Sequence, residues 1–244
     1  MSLPPSFSSI LRDGALFLDI DGTLVDFSPS PWGVVVPPGL PALLHSLQRM
    51  LSGAMAFISG RRMADIESMF GGGIAAAAEH GALLCMADGS VITETAPDPD
   101  LARIAQDLRQ AIIAYPGVLL EEKRYGLTLH WRAAPDMAQQ ARSVAEALLA
   151  RYPTLAPLPA HQALEIRTRG TDKATALATF MRSAPFAGRR PVFIGDDITD
   201  EPAIARATAM GGLGLHVARD FGGCPQTVRA WLAEGVADAI SSRS

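Results

Sequence analysis

Short apolar runs and amphipathic stretches alternate along the first third of the chain. Ala15–Leu18 is a short apolar run of the kind that fills a buried strand. Over Pro37–Leu51, Leu40, Leu43, Leu44, Leu47 and Leu51 recur at the helical period. Met55–Ile58 is a second apolar run and ends in Ser59-Gly60-Arg61. A helix is predicted over Arg62–Phe70, stopped by Gly71-Gly72-Gly73. Ile74–Ala78 is a third run and ends at Glu79-His80-Gly81. This alternation predicts parallel strands joined by crossover helices.

The pattern changes near Ala96. Ala96-Pro97-Asp98-Pro99-Asp100 reads as a linker into a helix over Leu101–Ile113, with Asp98 or Asp100 as its cap. Strands are predicted at Val118–Glu122 and Gly126–Arg132, a helix at Ala134–Arg151, and strands at Leu155–Leu158 and Ala163–Arg167. Helix, two strands, helix, two strands describes a small α+β unit with an antiparallel sheet. The earlier style then returns: a helix over Thr171–Met181, a buried strand Pro191–Ile194 running into GDDITDE, a helix from Pro202, and a last helix near Gln226–Leu232. The predicted fold is α/β: a doubly wound parallel-sheet core, residues 1–96 and 169–244, with a small α+β cap domain, residues 97–168, inserted into it.

Composition narrows the function. The 244 residues are 48% hydrophobic and 19% charged, enough for a sizeable core. Twenty-one basic against 25 acidic residues give a net charge of −4, so no nucleic-acid partner is expected. The two cysteines, Cys85 and Cys224, are far apart and form no CxxC, which excludes a disulfide framework or zinc site. The N-terminus lacks the pattern of a signal peptide, and no apolar run approaches the ~20 residues of a membrane helix. A cytoplasmic monomer with no membrane partner is expected.

The candidate chemistry sits where the predicted strands end, the edge at which parallel α/β sheets bind ligands. Asp19 and Asp21 follow the first strand, Ser59-Gly60-Arg61 the second, Glu79-His80-Gly81 the third, and Asp196, Asp197, Asp200 and Glu201 the fourth, with Lys173 at a helix start. Unpaired buried carboxylates are costly, and such a cluster repels itself without a cation. An oxygen-only donor set suits Mg²⁺. With it, one carboxylate attacks phosphorus to give an aspartyl-phosphate while a second, two residues on, moves the leaving group's proton. An EF-hand loop is excluded, because Ser30 stands where its twelfth-position Glu would be.

These motifs resemble the haloacid dehalogenase superfamily of phosphatases. Asp19-Ile20-Asp21-Gly22-Thr23 matches its first motif, Ser59-Gly60-Arg61 the second, Lys173 the third, and Gly195-Asp196-Asp197-x-x-Asp200 the fourth. Leu120–Arg132, Leu164–Leu177 and Phe193–Glu201 narrow the resemblance to its trehalose-6-phosphate phosphatase family, over residues from about 15 to about 235. The resemblance implies Asp19 as nucleophile and metal ligand, and Asp21 as general acid/base, ligating through its backbone carbonyl. It implies Ser59 and Lys173 holding the phosphoryl group, and Asp196 completing the Mg²⁺ site with Asp197 and Asp200 nearby. Thr23, Gly60 and Arg61 join the substrate-binding candidates, and Glu121, Lys123, Arg132, Glu165 and Arg167 would read the sugar. The substrate implied is trehalose 6-phosphate; a phosphatase for another sugar phosphate, a mutase and an inactive sugar-phosphate binder are the rivals.

Four positions depart from the family pattern: Arg124 and Ala174, where Gly is common, and Arg167-Thr168, where Lys-Pro is frequent. An Arg for Lys presents a planar fork in place of a point charge. His80 reads equally as a substrate contact or a turn cap. His130 shares a strand face with Thr128 and Arg132, a polar surface for the sugar. Trp32 and Trp231 are assigned to packing, Trp131 to the cap's own core, and Met181 and Met210 to core filling.

Overall fold

The computed structural model describes residues 7–28, 33–160 and 162–241; Trp32 lies outside them. Helix α1 (Phe7–Asp13) leads into β1 (Gly14–Leu18), then α2 (Leu40–Met50), β2 (Met55–Ile58), α3 (Met63–Phe70) and β3 (Ala75–Ala78). Strands β4 (Leu83–Cys85) and β5 (Val91–Glu94) follow. Helix α4 (Leu101–Ile112), β6 (Leu119–Glu122), β7 (Gly126–His130), α5 (Ala138–Leu149), β8 (Leu155–Ala160) and β9 (Ala163–Thr168) come next. The chain ends with α6 (Lys173–Phe180), β10 (Arg190–Gly195), α7 (Glu201–Ala209), β11 (Leu213–His216), α8 (Val217–Asp220) and α9 (Pro225–Ser241).

Two compact units result. Among the described residues, 95–171 form one, and those before 95 and after 171 form the other. The larger unit carries a seven-stranded sheet in the order β11-β10-β1-β2-β3-β4-β5. From β11 to β3 neighbours run parallel, and β4 and β5 are added antiparallel. Sequence reading expected a parallel sheet and did not foresee β4, β5, β11 or α1. The reason is local: β4 is three residues long, β5 is mostly exposed, and β11 lies in a Gly-rich stretch. The strands β1, β2 and β3 are buried along their whole length, as strands covered by helices on both faces are. Phe17, Phe57, Phe180, Phe186 and Phe193 fill the core beside them, with the Phe17 and Phe186 rings 5.4 Å apart.

The inserted unit has a four-stranded antiparallel sheet in the order β6-β7-β9-β8. Leu127 and Leu129 of β7 and Leu164 and Ile166 of β9 pack with Ile104, Leu108, Ala141 and Ala145 of α4 and α5. Trp131 is buried in this core, with the Arg142 guanidinium over its ring at 5.6 Å. Neither Asp98 nor Asp100 caps α4 through its side chain; Asp98 Oδ1 instead accepts from the Asp100 N–H at 2.9 Å. Trp231 packs edge-on against Phe7, and Met181 is buried. Met210 is 38% exposed, contrary to its assignment as filler, because it stands at the C-terminus of α7 before a left-handed Gly211.

Candidate active site

The parallel register sets the site. Leu18, the last residue of β1, pairs with Ile194 of β10 and Phe57 of β2, and the Asp19 N–H donates to the Ile194 carbonyl at 2.9 Å. Residues that follow these strands therefore emerge at one sheet edge. The Ser59 N–H donates to the Ala77 carbonyl and the His80 N–H to the Ser59 carbonyl, which ties the β2 and β3 exits together.

Lys173 is the hinge of the charge arrangement. It is 3% exposed, and its Nζ donates to Asp19 Oδ1 at 2.7 Å and Asp200 Oδ1 at 2.6 Å. It begins α6, whose N-cap Asp172 accepts from the Thr175 N–H at 2.6 Å. A cation at a helix N-terminus faces the wrong end of the helix dipole. Burial also disfavours its charge, yet Asp19 and Asp200 outweigh this and hold the ammonium well above its usual range. Asp19 is pushed well above the carboxylate range by burial and by the Asp200 charge, against the pull of Lys173. Asp196 rises to about 7, by burial first and then by the Asp200 charge.

Asp200 is fully buried and accepts from three donors. Besides Lys173 it accepts, at Oδ2, the N–H groups of Asp196 at 3.0 Å and Asp197 at 3.1 Å. It thus bolts the β10 exit loop in place, a role the Asp-x-x-x-Asp spacing of Asp196 and Asp200 signals but sequence reading did not draw. Gly195 is needed here, since a Cβ would overlap the Asp200 carboxylate.

Asp21 is gripped by a planar fork. Arg61 donates from Nε to Oδ2 at 2.7 Å and from Nη2 to Oδ1 at 2.6 Å. Thr23, fully buried, donates to Asp196 Oδ1 at 3.3 Å. Between them Gly22 has φ 76°, and a Cβ there would overlap the Asp196 carboxylate. Ser59 is 1% exposed, and its hydroxyl accepts from the Arg61 N–H at 3.2 Å, next to Gly60. His80 is buried in a left-handed conformation at φ 57°, following Glu79 at φ 46°. Non-glycine residues held there store strain of about 1–3 kcal/mol each, a feature that gathers at functional sites.

Oxygens of Asp19, Asp196 and Asp200 lie within 4.8 Å of one another, a donor set that could hold a metal ion. Of the other ligand candidates, Asp21 has both carboxylate oxygens in the Arg61 fork, and Asp197 Oδ1 accepts the Ile198 N–H at 2.6 Å.

In the inserted unit, alternation puts the remaining candidates on the sheet face opposite the leucine core. Glu121 of β6, Thr128 of β7 and Glu165 of β9 stand in register across three strands. His130 Nε2 is 2.9 Å from Glu121 Oε2, and Lys123 Nζ is 3.9 Å from Glu165 Oε1. Burial raises the Glu121 carboxyl, but the His130 hydrogen bond and the Lys123 charge bring it below its ordinary value. Arg167 shares the face of Glu165 and donates to the Thr171 carbonyl. Arg132 follows β7 and is half-buried. Among the described residues, no helix is long and apolar enough to cross a membrane.

The chain matches the trehalose-phosphatase family model over residues 17–223. It is 37% identical over 214 residues to a probable trehalose-phosphate phosphatase of Sinorhizobium fredii, covering 87% of this chain and 80% of that protein. It is 36% identical over 228 residues to the trehalose-6-phosphate phosphatase of Escherichia coli, covering 93% and 84%. Among solved structures, the C-terminal domain of the Candida albicans trehalose-6-phosphate phosphatase superposes with a TM-score of 0.81 at 18% identity, over 97% of this chain and 99% of that one. At that identity the likeness bears on the fold. Family model and relatives together carry the assignment: the chain belongs to the trehalose-phosphatase family.

Proposed function

We propose that the protein hydrolyses trehalose 6-phosphate to trehalose and inorganic phosphate, with Asp19 as nucleophile. One observation carries the reading: the buried Asp19–Lys173–Asp200 chain at the carboxyl edge of a parallel sheet, in a chain of this family. Structural carboxylates are seldom buried in such numbers, and the raised Asp19 and Asp196 carboxyls mark a cluster that needs more positive charge than Lys173 supplies.

An Asp19 carboxylate oxygen attacks phosphorus. The new O–P bond forms as the bond from phosphorus to the sugar O6 breaks. Asp21, protonated, gives its proton to O6. Water then attacks the aspartyl-phosphate, its proton returns to Asp21, and Asp19 is regenerated with release of phosphate. Arg61 orients Asp21, and opening one of its two bonds leaves an Asp21 oxygen for the proton. Ser59, Gly60, Thr23 and Lys173 hold phosphoryl oxygens, and His80 lines the same loops. The donor set, oxygens only, fits Mg²⁺: the Asp19 and Asp196 side chains and the Asp21 backbone carbonyl would hold it, with Asp197 peripheral. Mg²⁺ there supplies the positive charge that screens carboxylate from phosphate. Asp200, with three donors already, acts by fixing Asp196 and Lys173. In the inserted unit, Glu121, Lys123, His130, Arg132, Glu165 and Arg167 offer the alternating donors and acceptors that a disaccharide's hydroxyls require. A monomer acting in the cytoplasm on this one small substrate completes the reading.

The test is phosphate release from trehalose 6-phosphate and from other sugar phosphates, with Mg²⁺ and with EDTA. Selective, Mg²⁺-dependent release is expected, reduced at least about 10³-fold in Asp19→Asn. Release from the other sugar phosphates alone would overturn the substrate, and full activity of the variant would overturn the nucleophile.

A further inference from the structure

Thr128 sits at the centre of the β7 strand, between Glu121 and Glu165 in the register of the inserted sheet. It is 2% exposed, and among the described residues its hydroxyl has no hydrogen-bond partner. The neighbouring residues of the strand, Leu127 and Leu129, belong to the apolar core, so alternation turns Thr128 to the opposite, polar face. Strand propensity does not account for it. Valine has the same shape and serves a strand equally well without burying a hydroxyl. A buried hydroxyl left unpaired is a standing cost to the fold. Such groups arise in sites built to pair with a ligand's own polar group, and their pairing is what rejects analogues that lack it.

We infer that Thr128 is a specificity-determining residue, whose Oγ1 pairs with a hydroxyl of the sugar held between Glu121 and Glu165. A hydroxyl suits this middle position because it both donates and accepts. The two flanking carboxylates only accept and would take the sugar's O–H donors. The inference rests on the phosphatase reading above and adds a contact that the charged motif residues do not supply.

The experiment compares kcat/KM for trehalose 6-phosphate with that for p-nitrophenyl phosphate, which has no sugar, in wild type, Thr128→Val and Thr128→Ser. The ratio is expected to fall about ten- to hundredfold in Thr128→Val and to stay within about threefold of wild type in Thr128→Ser, which keeps the hydroxyl. The thermal midpoint of Thr128→Val should be no lower than wild type, since a methyl group replaces an unpaired polar atom. An unchanged ratio in Thr128→Val overturns the inference. So does an equal loss on both substrates with a lowered midpoint, the signature of a packing role. If wild type releases phosphate from another sugar phosphate instead, the substrate reading falls, and the same ratio on that sugar decides Thr128. If wild type acts on no sugar phosphate, both fall.

Discussion

The edge of the parallel sheet and the polar face of the inserted sheet are both lined with acids and bases, yet they are put together differently. At the sheet edge Lys173 lies 2.6 and 2.7 Å from two buried carboxylates, and Arg61 closes on Asp21 at similar distances. On the inserted sheet His130 and Glu121 pair at 2.9 Å at one side, Lys123 and Glu165 stand 3.9 Å apart at the other, and a buried hydroxyl lies in register between the two acids. Chemistry on one phosphorus atom needs charges fixed before the substrate arrives, because reorganising them during reaction raises the barrier. Recognition of a many-hydroxyl ligand is served by a neutral group, here the Thr128 hydroxyl, whose hydrogen bond is left for the ligand to complete.

That contrast can be broken most forcefully at Lys173. Lys173→Met leaves Asp19 and Asp200 buried together without their cation. Loss of one partner of such a pair costs about 3–5 kcal/mol, so urea unfolding should shift by that much and turnover should vanish. A variant as stable as wild type would show that the cluster is not the preformed network described. Gly22→Ala comes next. A left-handed residue and the overlap with Asp196 should cost about 1–3 kcal/mol, and displacement of the carboxylate should lower kcat about 10²-fold. Unchanged kcat would mean that the position of Asp196 is not critical.

Glu121 gives the smallest and most graded effect. Its folded carboxyl lies below the ordinary 4.5. The stability it contributes is therefore present above the unfolded value and lost as pH falls through the folded one. Wild type should exceed Glu121→Gln by on the order of 1 kcal/mol above pH 4.5, with the margin closing at lower pH. Unfolding curves at several pH values check this, and a margin independent of pH would remove the Glu121–His130 pairing from the account.

The acids at the strand ends were legible in the sequence because buried parallel strands are continuous apolar runs, and Asp19, Ser59 and Asp196 interrupt them abruptly. The pattern of the inserted unit was legible for the same reason, by alternation. What the sequence left dark depends on long-range contact. Arg61 and Asp21 stand 40 residues apart, and nothing local says that one grips the other. Strand β11 reads as loop because Gly211, Gly212 and Gly214 before and within it break any periodicity; Gly214 is there because a Cβ would strike the Ile204 carbonyl. Thr128 looks like any strand threonine until the structure shows what its hydroxyl lacks.

The pairing of Lys173 with Asp19 spans 154 residues, and this has a consequence for biosynthesis. Strand β2 is made soon after β1, but the other neighbour of β1, β10, is made only after the whole inserted unit. During synthesis at about 5–20 residues per second, β1 waits many seconds with one edge open and Asp19 without its cation. Contacts this distant along the chain also close slowly. The nascent chain therefore carries no catalytic centre until Lys173 and Asp200 have emerged, while the inserted unit, which is made before them, is free to fold first.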